Sequence, residues 1–282
     1  LPIYRNNLIS KAASQAAAHY KRFEKVRPND MWQADFKGHF QMQNGERCYP
    51  LNILDDCSRF CLCSDALRNE TLGEVKPVFQ RLFREYGLPF SLLCDNGNPW
   101  GTSQSMGYTA FEVWLMELGV LTIHGRPLHP QTQGKDERYN RSFTRECLNV
   151  NSFLDIADAQ LKFDAYRSFY NNIRPHCALD LNVPSAVFQK SEHPFPEKVI
   201  DWEYGPEYQR CKVSETGYFS YGGHRYFLSE GFRGKSIAVR ESALPGQITL
   251  VFRQFRIGRI DLDKRVYTLK KCYLLDNDPR LD

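Results

Sequence analysis

Apolar and polar residues alternate along three successive stretches, Met31 to Phe40, Arg47 to Leu54 and Arg59 to Leu67, which is the period of strands buried on one face. Asn44-Gly45 and Asp55-Asp56 mark the reversals between them, so the stretches predict a three-strand meander. From Thr71 the period lengthens. Leu72, Val75, Val78, Phe79, Leu82 and Phe83 form one helical stripe to Tyr86, and Gly87 ends it. The run Phe90 to Asp95 predicts a further strand, the glycine- and serine-rich Asn96 to Tyr108 a long loop, Thr109 to Leu118 a helix, and Val120 to Ile123 a fifth strand. Helices are predicted over Gly134 to Asn149 and Asp155 to Ile173, and Pro184 opens a short one.

Beyond Pro194 and Pro196 the pattern becomes all-β. Gly222-Gly223 joins Tyr218–Tyr221 to His224–Phe227, and Ser236–Arg240 and Ile248–Ile260 follow, predicting a small β-barrel over residues 195–282. Before the meander, Ser10 to Phe23 is alanine-rich and polar on several sides, so residues 1–28 predict a linker helix stopped by Pro28. Leu1 in place of methionine makes the chain read as a fragment. The segment between, 29–192, predicts an α/β core of the ribonuclease H type: meander, helix, strand, helix, strand and closing helices.

With 282 residues, 42% of them hydrophobic, the chain is large enough for one substantial core and a second small domain. A net charge of +4 favours a polyanionic partner only weakly, so distribution matters more. Residues 195–282 hold fifteen Lys or Arg against twelve Asp or Glu; Arg253, Arg256 and Arg259 interleave with Phe252 and Phe255, as do Lys264, Arg265, Lys270 and Lys271 around Tyr267. That suits a nucleic-acid surface, although strands of any small barrel alternate in this way. No run of eighteen apolar residues and no leader is visible, which predicts a soluble, cytoplasmic protein, nucleoid-associated when bound to DNA. The nine cysteines include no Cys-x-x-Cys pair and read as reduced core residues.

Three carboxylates carry the candidate chemistry. Asp35 lies mid-strand among aromatic and apolar neighbours, where an ionised acid needs a partner. Asp95 ends a strand beside the Asn96-Gly97 turn, and Glu137 opens a helix after a glycine-bearing loop. Singly, each could merely end a strand or favour the positive end of a helix. Jointly they suit a site for Mg²⁺ or Mn²⁺, two ions per site, and phosphodiester chemistry. Glu137, Asn140 and Arg141 are predicted on one helix face, and Lys135, Arg138, Arg141 and Arg145 make the helix basic on its exposed side, suited to phosphates. Asp55 and Asp56 read as turn formers, and His124 and His129 as contacts to DNA or solvent.

Trp32-Gln33-Ala34-Asp35-Phe36, Leu54-Asp55-Asp56-Cys57-Ser58-Arg59, Cys94-Asp95-Asn96-Gly97, the run from His129 to Arg138 and Tyr170 to Leu179 together resemble the DDE transposases of bacterial insertion sequences, whose core is that of retroviral integrases. The resemblance runs from about residue 27 to 190, and Tyr4 to Ile9 resemble the tail of the helix-turn-helix region such enzymes carry upstream. It implies a ribonuclease H-like (retroviral integrase) core in which Asp35, Asp95 and Glu137 bind two Mg²⁺ ions. Water then hydrolyses one strand at the element end, and the freed 3′-hydroxyl attacks target DNA. Double-stranded DNA is the implied partner, with a homo-oligomer on paired ends. Where the family has a lysine or arginine seven residues after the glutamate, this chain has Thr144, flanked by Arg141 and Arg145. The alternative is an inactive or domesticated DNA-binding protein that keeps the fold.

Overall fold

The computed structural model describes residues 25–101, 107–125, 134–242, 244–264, 266–267 and 273–274. The expected linker helix over Ser10–Phe23, His129, Arg265, Lys270 and Lys271 lie outside the described residues. The first sheet is built from β1 (Trp32–Phe36), β2 (Phe40–Gln41), β3 (Arg47–Asp55), β4 (Cys61–Leu67), β5 (Ser91–Cys94) and β6 (Leu121–His124). Central β3 pairs antiparallel with β1 on one edge and β4 on the other, β2 continues beyond β1 along β3, and β5 and β6 follow parallel to β1. This meander followed by two parallel strands is the ribonuclease H-like order expected from the hydrophobic pattern. The single strand expected over Met31–Phe40 is broken, because Gly38 takes φ +87°, a left-handed conformation that interrupts the ladder.

Helices cover both faces. On one lie α1 (Leu72–Tyr86) and α2 (Ala110–Glu117), whose Val75, Phe79, Phe83, Phe111 and Leu115 bury Trp32, Ala34, Leu51 and Ile53 of the sheet. On the other lie α3 (Gly134–Phe143) and α4 (Ile156–Asn172), where Tyr139, Phe143, Phe163 and Tyr170 meet Leu54 and Cys61. Successive strand residues face opposite sides, so Ala34 enters one core while Asp35 points to the α3 side. The helix expected over Gly134–Asn149 is α-helical only to Phe143; Thr144–Leu148 widens into a π-helix, with the Thr144 hydroxyl donating to the Asn140 carbonyl at 2.7 Å.

After the short α5 (Pro184–Val187), the chain runs as a strap across the base of the core. Phe188 stacks on Phe60 with ring centroids 4.3 Å apart, and Leu88 N–H donates to the His193 carbonyl at 2.7 Å. Gly87 makes room for the strap: its φ is +80°, and a Cβ there would lie 2.8 Å from the His193 carbonyl oxygen.

The C-terminal strands are β7 (Gln209–Lys212), β8 (Tyr218–Tyr221), β9 (His224–Phe227), β10 (Ser236–Glu241), β11 (Gln247–Phe252), β12 (Phe255–Asp261), β13 (Val266–Tyr267) and β14 (Tyr273–Leu274). They form an antiparallel sheet in the order β13-β12-β11-β10-β7, with β14 on β12, and a separate β8–β9 hairpin. Among the described strands the path ends at β7 and β13 without closing into the expected barrel. Ile248–Ile260 is two strands rather than one, because Arg253 at φ +54° opens a two-residue turn with Gln254. The inner face of this sheet packs on α2 and the turn before it, where Tyr108, Val113 and Met116 join Phe219, Phe232, Leu250 and Ile257 in one core. Among the described residues no helix is long and apolar enough to cross a membrane.

Candidate active site

Strand register assembles the site. Asp35 of β1 stands opposite Asn52 of β3, and Asn52 opposite Ser64 of β4, so the three side chains form a row on the face that α3 covers. Asn140 of α3 closes over the row. Its amide donates to Asp35 Oδ2 at 2.7 Å while its carbonyl oxygen accepts from Asn52 Nδ2 at 2.7 Å. Asn52 in turn accepts from the Ser64 hydroxyl at 2.7 Å, and Ser64 and the Tyr139 hydroxyl lie 2.6 Å apart. Because Asn52 Nδ2 has only acceptors to find, the row fixes which end of Asn140 faces Asp35.

Asp95 follows β5, the parallel neighbour of β1, and so reaches the same end of the sheet as Asp35. Its carboxylate accepts from its own turn, Gly97 N–H to Oδ1 at 2.9 Å, and Asn96 Nδ2 donates to the Gly125 carbonyl at 3.0 Å. Asp35 senses the Asp95 charge. Burial, then the Asp95 charge, raises the Asp35 pKa from 3.8 to about 6, against the Asn140 hydrogen bond and the Lys37 charge. Glu70 shares this patch: burial and the Asp95 charge push its carboxyl up as well.

Glu137 is placed differently from the expectation. It is exposed, on the first turns of α3, while its neighbour Asp136 is 2% exposed and has no hydrogen-bond partner for either carboxylate oxygen. Burial, followed by the charges of Asp35 and Asp56, holds the Asp136 pKa well above its ordinary value. The rotation of the helix is set by two anchors, Asn140 on Asp35 and the Lys135 ammonium on the buried Asp56 carboxylate at 2.6 Å. Asp136 therefore continues the buried stripe of Tyr139, Asn140, Phe143 and Cys147, and residue 137 points away. Spacing from Tyr139 and Phe143 was the sequence signal that could have placed Asp136 inside.

The structure thus brings Asp35 and Asp95 together and sets Glu137 one helical turn before the Asn140 anchor. Among the described residues no three His, Cys, Asp or Glu side chains are gathered closely enough to hold a metal ion as they stand. The donor chemistry nevertheless fits a hard divalent cation: the Asp35 carboxylate is destabilised by burial and by the Asp95 charge, and the unpartnered buried oxygens of Asp136 lie close to it.

Other expected contacts divide. Arg138, Arg141 and Arg145 are exposed on the α3 side, Arg145 beside Glu146 at 2.7 Å. Lys135, expected to face phosphates, is instead committed to Asp56, and Asn140 is buried rather than sharing an outer face with Arg141. Asp55 is the turn former predicted, accepting from Ser58 N–H at 2.8 Å, but Asp56 anchors α3. Arg256 and Arg259 line a groove with Tyr208, Tyr221, Arg240 and Thr249 on the C-terminal sheet. Arg253 turns away to the Ile200 carbonyl, 2.6 Å from its guanidinium, and lies over Trp202. His124 bridges the Asp95 carbonyl and Glu112 at 2.8 Å each. Burial works against its charged ring, but the hydrogen bonds to Cys94 and Glu112 outweigh it and raise its pKa.

Family models match both parts of the chain. Two models of the integrase core domain match residues 25–130 and 118–184, and a model of the IS481 family transposase C-terminal domain matches 209–268. The insertion element IS476 uncharacterized 39.2 kDa protein of Xanthomonas euvesicatoria is 29% identical over 178 residues, 63% of this chain and 49% of its own length. The insertion element IS407 uncharacterized 31.7 kDa protein of Burkholderia multivorans is 30% identical over 165 residues, 58% of this chain and 56% of its own. The chain thus spans about half the length of the curated relatives it matches. Among solved structures, a simian T-cell lymphotropic virus intasome in complex with PP2A regulatory subunit B56 gamma aligns at a TM-score of 0.48 and 17% identity, over 83% of this chain and 80% of its own. Two integrase-core matches over residues 25–130 and 118–184, followed by an IS481 family transposase C-terminal match over 209–268, give this chain an integrase core domain and a transposase C-terminal domain.

Proposed function

We propose that the chain cuts and joins DNA at the ends of an insertion element, with Asp35, Asp95 and Glu137 as the ligands of two divalent cations, Mg²⁺ or Mn²⁺. The observation that carries the reading is the electrostatic coupling of Asp35 and Asp95 at neighbouring strand ends, with Asn140 from the Glu137 helix bonded to Asp35. Glu137 would be the third donor, carried on the helix that Asn140 ties to Asp35. When bound, the cations activate an attacking water or 3′-hydroxyl and stabilise the departing oxygen. The protein groups do the rest: Asn140 orients Asp35, the Gly97 amide holds the Asp95 carboxylate, and Arg138, Arg141 and Arg145 offer cations to phosphates.

We take residues 29–192 as the catalytic unit and 195–282 as a unit for DNA contact or assembly, its groove of Arg240, Arg256 and Arg259 receiving a phosphodiester backbone. Two ends must meet before joining, so a homo-oligomer on paired ends is part of the reading. Incubation of the full-length protein with a labelled end-containing duplex, a target plasmid and Mg²⁺ tests it. Nicked and joined products that disappear in Asp35→Asn, Asp95→Asn and Glu137→Gln support the assignment. Products retained in any of these variants overturn it.

A further inference from the structure

His124 ends β6 opposite Cys94 in the parallel ladder, and its ring reaches under the turn that begins at Asp95. Nδ1 lies 2.8 Å from the Asp95 carbonyl oxygen, and since a carbonyl only accepts, this nitrogen carries a hydrogen and donates. Nε2 lies 2.8 Å from Glu112 Oε1. Gly101 hems the ring from the side, for a Cβ there would stand 3.0 Å from His124 Cε1. With both nitrogens turned to protein oxygens, neither is directed at a cation.

Glu112 does not float. Its other oxygen accepts Thr109 N–H at 2.6 Å, while Thr109 Oγ1 accepts Glu112 N–H at 3.1 Å, a reciprocal cap that starts α2. One residue earlier, Tyr108 N–H donates to Ser229 Oγ at 2.9 Å and the Ser229 hydroxyl donates to the Tyr108 carbonyl at 2.6 Å. Gly231 sits so close that a Cβ would meet the carbonyls of Tyr108 and Thr109. The far end of the imidazole is therefore fixed to the helix start on which the C-terminal sheet rests.

We propose that His124, held by Glu112, is a positioning residue for Asp95: it fixes the backbone at the end of β5 through the Asp95 carbonyl and ties that orientation to the seam with the C-terminal sheet. Its catalytic consequence rests on Asp95 being a metal ligand, as proposed above; the fixing of the turn does not. A ligand-bearing residue whose backbone is loosened loses the orientation that lets several donors act on one ion, and outer supports of this kind are worth about 10–100-fold in metal affinity.

Two variants of the full chain separate positioning from packing. In His124→Gln the longer amide reaches the place of Nε2, keeping Glu112 and releasing the Asp95 carbonyl; in His124→Asn the shorter amide takes the place of Nδ1 and does the reverse. Amide hydrogen exchange at Asn96 and Gly97 is followed in metal-free protein, Mn²⁺ affinity by calorimetric titration, and thermal stability alongside. The expected result is exchange about tenfold faster at Asn96 and Gly97 and Mn²⁺ binding about tenfold weaker in His124→Gln, with His124→Asn near the unaltered chain at a similar loss of stability. Exchange at those amides unchanged in His124→Gln, or equal in the two variants, overturns the proposal. If the unaltered chain binds Mn²⁺ no better than Asp35→Asn, it is the metal reading that fails, and the exchange data alone decide the role of His124.

Discussion

Asp35 shows how much a single residue can reveal before its surroundings are known. An acid at a half-buried strand position was legible from its apolar neighbours, and the structure gives it the raised pKa, about 6, that such a setting implies. Its effect on stability has a definite sign. Because the folded chain holds this proton more tightly than the unfolded one, the contribution is favourable below about pH 4 and is lost as pH rises through about 6. The metal-free protein at pH 8 therefore carries a penalty of about 3 kcal/mol, which Asp35→Asn relieves in whole or part. Thermal unfolding should show the variant more stable than the parent at pH 8 and equal to it near pH 4; equal stability at both would contradict the electrostatic account. Asn140→Ala removes a hydrogen bond that lowers the Asp35 pKa, so an NMR titration of Asp35 should move upward from about 6. Asn52 and Glu70 were not legible in this way, and Asp136 only through its helical spacing from Tyr139 and Phe143. Their roles arise from register and helix rotation, which bring together residues far apart in sequence.

Among the elements, periodicity located the long helices and the meander well, since each has one clear apolar face. It failed where backbone geometry decides the outcome. The residue pair Arg253-Gln254 carries no strong turn signature, yet it divides a continuous apolar-basic pattern into β11 and β12, and the π-helical turn after Phe143 keeps the buried stripe running to Cys147. Two elements offer direct tests. Thr109→Ala breaks the reciprocal cap of α2 and should destabilise the chain by about 1 kcal/mol in chemical denaturation. Gly87→Ala places a Cβ against the His193 carbonyl at φ +80° and should cost more, because the strap must move away before the side chain fits.

At the scale of the whole molecule, α2 belongs to two cores: Phe111 and Leu115 face the first sheet, whereas Val113 and Met116 face the C-terminal sheet. The Lys235 ammonium, 2.5 Å from Glu117, and the Ser229 bonds to Tyr108 add polar pins to this seam. The sequence suggested two units but not their joint, since a helix that is apolar all round reads only as buried. The division of labour proposed above predicts that Arg256→Ala with Arg259→Ala weakens duplex binding evenly across sequences and reduces the salt slope by about 2, while leaving metal affinity unchanged. Fluorescence anisotropy over a salt series would check the first part and calorimetry the second.

The most direct measurement of the central claim is diffraction from crystals of the protein with Mn²⁺ and an element-end duplex, recorded for the manganese anomalous signal. The account predicts anomalous peaks ligated by Asp35 and Asp95, with Glu137 turned inward to complete the set. Manganese bound elsewhere, or Glu137 still pointing to solvent with Asp35 and Asp95 unligated, would contradict it.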